Sequence, residues 1–443
     1  MGRPFRHTNR HRKLELSAVQ AIFSLLYNVL DLLCIGKQTG TTHMYEHPSA
    51  MEPMLPRDAE LGDMAIALVG ESARTVGSLH PITGKTLRSL LRSINSYYSN
   101  LIEGHNTHPF DIERAMRADY SQDPAKRALQ LESRAHIEIQ EAIETRLEAN
   151  PDLDVTARDF LLWIHAEFYQ RLPESFREVH DPETGATETV QPGTFRQHQV
   201  RVGLHLPPDH RALDRFLERF RQVYSPGVHR GHTKLVAAAA SHHRLAWIHP
   251  FLDGNGRVVR LFSDAYLQAV GLSGHGLWSV SRGLARQRSE YMSHLAMADA
   301  RRRNDYDGRG TLSLEGLTRF CRFFLATCTD QAQFMGQLLS TDQLHKRLQA
   351  YASLRAAGTI PGPPLKKEAS AVLLTAFLRG QIARGEAAQL TGFAERAGRE
   401  VIRSLLNEGL LIADSVKGPV RLGLPMHAVG YIFPGLFPED LTL

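Results

Sequence analysis

The stretch "HPFLDGNGRV", His249 to Val258, sets a histidine, a carboxylate, two glycines, an asparagine and an arginine within ten residues. The apolar run "HTKLVAAAASHHRLAWIHPF" before it reads as a helix ending at His249-Pro250, because proline removes a donor and disfavours helix in the residue it follows. "RVVRLFSDAYLQAVG" restarts a helix that stops at Gly271. A helix N-terminus presents N–H groups without intrahelical partners, and its dipole favours negative charge, so the loop reads as an anion site. Gly254 and Gly256 let the backbone wrap close to a phosphate, and Asn255 adds a side-chain donor. Arg257 and Arg260 follow in the first turn, where guanidinium groups suit phosphate oxygens. Arginine in that turn opposes the dipole by about 0.3–1 kcal/mol, so two of them require an anion or a carboxylate partner.

A carboxylate beside a phosphate site repels the ligand unless a cation lies between them. Asp253 is therefore read as a Mg²⁺ ligand, since Mg²⁺ is held by one or two carboxylates plus substrate phosphates. His249 supplies a base that titrates near neutrality and can take a proton from an attacking hydroxyl. Singly, these residues are helix ends, turns and solvated surface. Together they specify transfer of a phosphoryl or nucleotidyl group to a hydroxyl. The spacing is neither that of a Walker loop nor that of a dinucleotide-binding glycine motif.

The rest of the chain supports a soluble, mainly helical protein. It has 443 residues, 42% hydrophobic and 22% charged, which implies two or three domains. Cys34, Cys321 and Cys328 form no paired framework, so a reducing, cytoplasmic setting is expected, without zinc or disulfides. The formal charge of +5 is matched by Arg3, Arg6, Arg10, Arg12 and Lys13 alone, and the body is nearly neutral. Basic charge therefore gives no reason to expect nucleic-acid binding by the body. "LELSAVQAIFSLLYNVLDLLCIG" is interrupted by Glu15, Gln20, Asn28 and Asp31 and reads as an amphipathic helix rather than a membrane span. The alternative is a start-site artefact with Met44, Met51 or Met54 as the first residue.

Helical periodicity dominates from about Glu60. Leu87, Leu90, Leu91, Ile94, Tyr98 and Leu101 form one face of a helix that Gly104 stops. Further helices are expected over 124–149, from Thr156, over 206–224, over 281–303 and over 313–339. "ETVQPGTFRQHQVRVG" carries the clearest strand signal and is expected to form a hairpin around Pro192-Gly193. "AAGTIPGPP" ends a linker, and the residues beyond it read as three helices and a strand pair.

"HPFLDGNGR" followed by "VVR" matches in full the Fic family signature HxFx(D/E)GNGRxxR, and the order of helices and flap resembles that family over about residues 156–337. The resemblance implies a mainly α Fic-type bundle with a short β-hairpin flap, joined to a C-terminal winged-helix domain. It implies AMP transfer from ATP to a hydroxyl side chain of a target protein, including self-modification. His249 would be the base, Asp253 the Mg²⁺ ligand, and Gly254, Asn255 and Gly256 the lining of the phosphate hole. Arg257 would position phosphate, Arg260 the γ-phosphate, and Tyr291 would contact the adenosine. Glycine at 256, where kinase-like relatives carry lysine, favours AMP transfer. "SNLIEG" resembles the family's inhibitory signature (S/T)xxxE(G/N), which implies that Ser99, Glu103 and Gly104 belong to an N-terminal inhibitory helix whose glutamate pairs with Arg260.

The expected divisions are an N-terminal extension over 1–58, disordered or a start-site artefact, and a helical region with the inhibitory helix over 59–150. A Fic core over 151–345, a linker over 346–364 and a winged helix-turn-helix over 365–443 complete them. A target protein would dock on the flap, 193–203, by strand addition. In the tail helix Arg396, Arg399 and Arg403 are offset by Glu395 and Glu400, which leaves DNA contact and homodimerisation both open; no membrane partner is expected. Two rival readings stand: a nucleotide-sensing transcription regulator, and removal of AMP with Glu103 aligning a water.

Overall fold

The computed structural model describes residues 45–77, 79–180, 185 and 187–438. The amphipathic stretch near the N-terminus and Cys34 lie outside the described residues. From Tyr45 onward the chain forms one body, and among the described residues no helix is long and apolar enough to cross a membrane.

A short 3₁₀ turn at Pro48–Met51 leads into α1, Ala59–Val76, whose N-cap Asp58 accepts from the Glu60 and Leu61 N–H groups. The long α2 spans Pro81–Ile102, α3 Pro109–Met116, α4 Pro124–Ala149 and α5 Arg158–Gln170. The strands β1, Glu178–His180, and β2, Thr187–Thr189, pair antiparallel. Next come α6, Leu213–Tyr224, α7, Thr233–Ile248, α8, Asn255–Ala269, α9, Val280–Arg286, α10, Arg288–Asp299, and α11, Leu314–Leu339. The C-terminal elements are α12, Thr341–Ala356, α13, Ala369–Arg379, α14, Arg384–Gln389, α15, Glu395–Asn407, the antiparallel pair β3, Leu411–Ile412, and β4, Arg421–Leu422, and α16, Met426–Ile432.

The central helix is α7, largely apolar and buried along nearly its whole length, with alanines at 237–240 fully buried. Small residues let α8 and α11 approach it closely, while α6 packs its Phe216, Leu217 and Phe220 stripe onto it. On the other side of α8, α2 and α4 pack against it and against each other. Helix α8 therefore has neighbours from both halves of the sequence.

Four segments depart from the sequence expectation. Residues 45–58, grouped above with the N-terminal extension, pack into the body. Met51 and Met54 are buried, Glu52 pairs with Arg219, and the Pro53 carbonyl accepts from the fully buried Arg244. The linker expected from 346 is helical to Ala356, because Leu344, Leu348, Tyr351, Ala352 and Arg355 form a buried stripe at helical spacing. The hairpin expected around Pro192-Gly193 lies earlier, and residues 193–203 are irregular apart from a bridge from Val202 to His205. Pro192 has no N–H to give a ladder, and the Gly193 N–H goes to His165 Nδ1 at 2.9 Å instead. The helix expected over 281–303 is broken at Gln287, which takes φ −114° and ψ 37°.

The C-terminal elements pack on α2. Thr83 Oγ1 donates to the Phe377 carbonyl at 2.6 Å, and the Tyr97 ring meets Phe437 edge-on at 5.3 Å. Arg282 of α9 donates to the Gly435 carbonyl at 2.7 Å.

Met51 is 0% exposed, so truncating it leaves a cavity in the body rather than trimming a tail. Met51→Ala is expected to cost about 2–5 kcal/mol of stability in a denaturant melt, whereas a loosely attached extension would leave the melt unchanged.

Candidate active site

The loop between α7 and α8 is built by two left-handed residues. His249 ends α7 with φ 49° and ψ 62°, a strained conformation for a residue with a side chain. Gly254 caps α8 with φ 77°, and a Cβ there would lie 2.7 Å from the Tyr169 ring. Just after Gly254, Asn255 closes the loop on itself. Its Oδ1 accepts from the Phe251 N–H at 2.9 Å, and its Nδ2 donates to the Phe251 carbonyl at 2.8 Å. The side chain expected to donate to a phosphate is thus committed to shaping the backbone.

The first intrahelical bond of α8 runs from the Val258 N–H to the Gly254 carbonyl, so the N–H groups of residues 255–257 precede it. Over this end lies the Glu103 carboxylate. A Cβ on Gly256 would come within 2.4 Å of Glu103 Oε1 and 3.1 Å of Arg260 Nη1. Arg260, 3% exposed, donates through Nε to Ser99 Oγ at 2.9 Å. Its Nη2 donates to the Ser99 carbonyl at 3.1 Å and to Glu103 Oε1 at 2.6 Å. Ser99, Glu103, Gly256 and Arg260 are therefore gathered at one point. Burial opposes the Glu103 charge, yet Arg260 and Arg257 hold its carboxyl below the ordinary 4.5.

The end of α2 is shaped to deliver that carboxylate. Gly104, φ 88°, and His105 close the helix with paired bonds, Gly104 N–H to the Leu101 carbonyl and His105 N–H to the Asn100 carbonyl. Arg288 Nε donates to the last helical carbonyl, Ile102, at 3.0 Å. Glu103 is left projecting from the final turn.

Arg257 is held by two carboxylates. Nη1 pairs with Glu132 of α4, which is 0% exposed, and Nη2 lies 3.3 Å from Asp253 Oδ2, with the guanidinium over the Phe168 ring. Burial works against this charge, but Tyr169, Glu132 and Asp253 strengthen it. Glu132 also bonds His105 Nδ1 at 2.7 Å, which raises the His105 imidazole above its usual range. Asp253 Oδ2 accepts from the Tyr169 hydroxyl at 2.6 Å, and burial keeps that phenol protonated. Burial opposes the Asp253 charge as well, while Arg257 and Tyr169 hold it ionised. Its side chain is 44% exposed, and the Gly254 N–H also supports its charge.

His249 is partly buried, and burial, with His205 and Arg196 nearby, pushes its imidazole down to about 4. It is neutral at pH 7 and able to accept a proton. Tyr291, expected to contact the adenosine, lies in the interior. It is 3% exposed, and its hydroxyl lies 2.8 Å from His242 Nε2. His242 Nδ1 meets Ser263 Oγ at 2.7 Å, and that hydroxyl donates to the Val259 carbonyl. This buried relay runs from α10 through α7 to α8 and packs the back of the site.

Tyr169, Glu132, His105, His165 and Arg196 escaped the sequence reading. A signal for one group existed: Glu132, His136 and Gln140 recur every four residues on α4 and are all buried. A polar stripe on an inward face is a cue to a site. The flap residues gave none, since their contacts are to backbone atoms distant in sequence.

Residues 154–267 match the model of the Fic/DOC family. A curated relative named protein adenylyltransferase Fic, from Drosophila willistoni, is 34% identical over 116 residues, covering 25% of this chain and 22% of its own. The protein of that name from Drosophila sechellia is 23% identical over 297 residues, 59% of each chain. The chain thus spans about a fifth of the first relative's length and about three fifths of the second's. A crystal structure of a Fic family protein from Desulfovibrio desulfuricans G20 aligns over 81% of this chain and 95% of its own, at 18% identity and a TM-score of 0.47. The matched segment contains His249, Asp253, the loop glycines and both arginines of α8, while Ser99, Glu103 and Glu132 lie outside it. Over residues 154–267, this chain carries a Fic/DOC domain.

Proposed function

We propose that the protein transfers AMP from ATP to a hydroxyl of a target protein, and that Glu103 restrains this activity. The observation that carries the reading is an anion already seated at the site: the Glu103 carboxylate lies over the N-terminus of α8, bound to Arg260. A helix end and an arginine that hold a carboxylate so closely would also suit a phosphate. The names of the curated relatives, protein adenylyltransferase, point to ATP as the source of that phosphate.

In this reading His249, neutral at physiological pH, removes the proton from the target Ser, Thr or Tyr hydroxyl. The oxygen attacks the α-phosphorus, the bond from Pα to the bridging oxygen breaks, and pyrophosphate departs. Asp253, with its side chain 44% exposed, fits Mg²⁺, which when bound would neutralise charge between the phosphates. The N–H groups of residues 255–257 and Arg257 align the α- and β-phosphates, and Arg260 takes the γ-phosphate once Glu103 withdraws. Alignment supplies most of the catalysis in such reactions, so an occupied Arg260 suffices to silence the site. The target backbone would lie along residues 193–203 and could be this chain itself.

The C-terminal elements are read as a winged helix-turn-helix, with α14 and α15 as the helix pair and β3–β4 as the wing. Arg396, Arg399 and Arg403 are exposed on α15 beside Glu395 and Glu400, and Arg399 pairs with Glu395. Such mixed charge favours a protein contact, including a second copy, over DNA.

Label transfer from α-labelled ATP, read as self-modification, tests the proposal. Glu103→Gly is expected to raise incorporation about tenfold or more, and adding His249→Ala should remove on the order of 10²–10⁴ of it. Undiminished transfer in the double variant would refute His249 as the base.

The restraint also has a defined pH dependence. The Glu103 carboxyl is lowered in the folded state, so its contribution is complete above 4.5 and fades only as pH falls through the lowered value. The unaltered protein is expected to stay restrained between about pH 5 and 8, while Glu103→Gln transfers label throughout that window. Acid release near pH 6 in the unaltered protein would contradict the assignment.

A further inference from the structure

Arg196 stands in the segment expected to receive a target, yet it is 4% exposed and makes no ion pair among the described residues. Its donors all reach backbone carbonyls. Nε bonds His249 at 2.9 Å, Nη1 bonds His198 at 3.0 Å, and Nη2 bonds Pro208. Its own N–H donates to the Pro250 carbonyl at 3.0 Å. One residue thus fixes both carbonyls of the His249-Pro250 dipeptide and ties them to one point of the flap, His198, and one beyond it, Pro208.

This arrangement is costly. Burial pushes the guanidinium down to about 10, and Asp209 opposes only by its field. Such an arginine is out of place unless its planar fork is needed, because no other side chain spans three carbonyls in fixed geometry. What it holds is strained: His249 sits at φ 49°. A second tether runs parallel to it. The Gly193 N–H donates to His165 Nδ1, and the His165 ring stacks on Phe251 with centroids 4.1 Å apart.

We propose that Arg196 is a positioning residue: it holds the His249 main chain in its left-handed turn, so aiming the imidazole, and makes that aim depend on the backbone at His198 in the flap and at Pro208 beyond it. The inference rests on the reading of His249 as the base. A target strand seated on residues 193–203 shifts or stiffens the His198 carbonyl that Arg196 grips, so docking and alignment of the base are linked through one guanidinium. His249 also faces His205 from the flap and Asp253 from its own loop, and Arg196 and His205 are the positive influences on it.

The test uses the full chain in the Glu103→Gly background, comparing Arg196→Met, Arg196→Lys and His249→Ala. Label transfer from α-labelled ATP is followed against pH, ATP affinity by calorimetry, and folding by thermal melt. Arg196→Met is expected to lower kcat on the order of a hundredfold, as a small misplacement of a catalytic group does, with ATP affinity within about twofold. Its acid limb should move to higher pH, because burial and His205 still depress His249 but the Arg196 charge no longer adds to them. Arg196→Lys keeps the charge but not the fork, so its acid limb should stay in place while kcat remains about tenfold or more below the arginine protein. A folded Arg196→Met with unchanged kcat and acid limb overturns the proposal. Should the methionine variant fail to fold, Arg196→Lys decides alone, and full kcat there overturns it. Persistent transfer by His249→Ala overturns it at its root, the base assignment. Loss of transfer in His249→Ala with Arg196→Met intact overturns the positioning role alone.

Discussion

A helix that begins with two arginines inside a packed interface requires negative charge close by, and much of this molecule is arranged around that requirement. The first turn of α8 carries Arg257 and Arg260, both nearly buried, at the end of the helix where the dipole is already positive. Neither guanidinium could remain there unpaired without a large desolvation penalty. The chain answers with carboxylates from three directions: Glu103 from α2, Glu132 from α4 and Asp253 from the loop itself. The packing of α2 and α4 against α8 is the means by which two of those charges arrive.

The three carboxylates differ in what holds them. Glu132 is fully buried and shared between Arg257 and His105, a fixed part of the interior. Asp253 is half open, with one oxygen bound by Tyr169. Glu103 comes from the end of a helix and is about one third exposed. A single electrostatic demand is therefore met by one fully buried partner and two that reach solvent.

Most helices and the key loop were legible in the sequence, because both depend on local signals. The stripe of Leu87, Leu90, Leu91, Ile94 and Tyr98 marks α2 through periodicity alone, and Pro124 and Pro151 bracket α4. The loop motif names its own chemistry through residue types that seldom occur together. What was not legible depends on partners far away in sequence. Asn255 was expected to face a ligand, but its two polar atoms match the Phe251 backbone and are used there. Tyr291 was expected near a nucleoside and is instead enclosed by His242. Pro192-Gly193 carries the residue types of a hairpin turn, yet the Gly193 N–H is already claimed by His165. Residues 346–356 read as linker from the proline and glycine content just beyond them, although their own apolar spacing is helical.

The backing of α2 by the C-terminal elements constrains how Glu103 can move. Along one flank α2 is pinned to α8 by Asn95 and Ser99, and along another it is pinned to the C-terminal elements by Thr83 and Tyr97. A helix fastened on two sides does not slide or swing as a rod without breaking both sets of contacts at once. Its last turn is held as well, by the Gly104 and His105 closing bonds, by Arg288 on the Ile102 carbonyl and by His105 on Glu132. In the proposed reading Glu103 would therefore leave Arg260 by moving its own part-exposed side chain, with the helix that carries it staying in place.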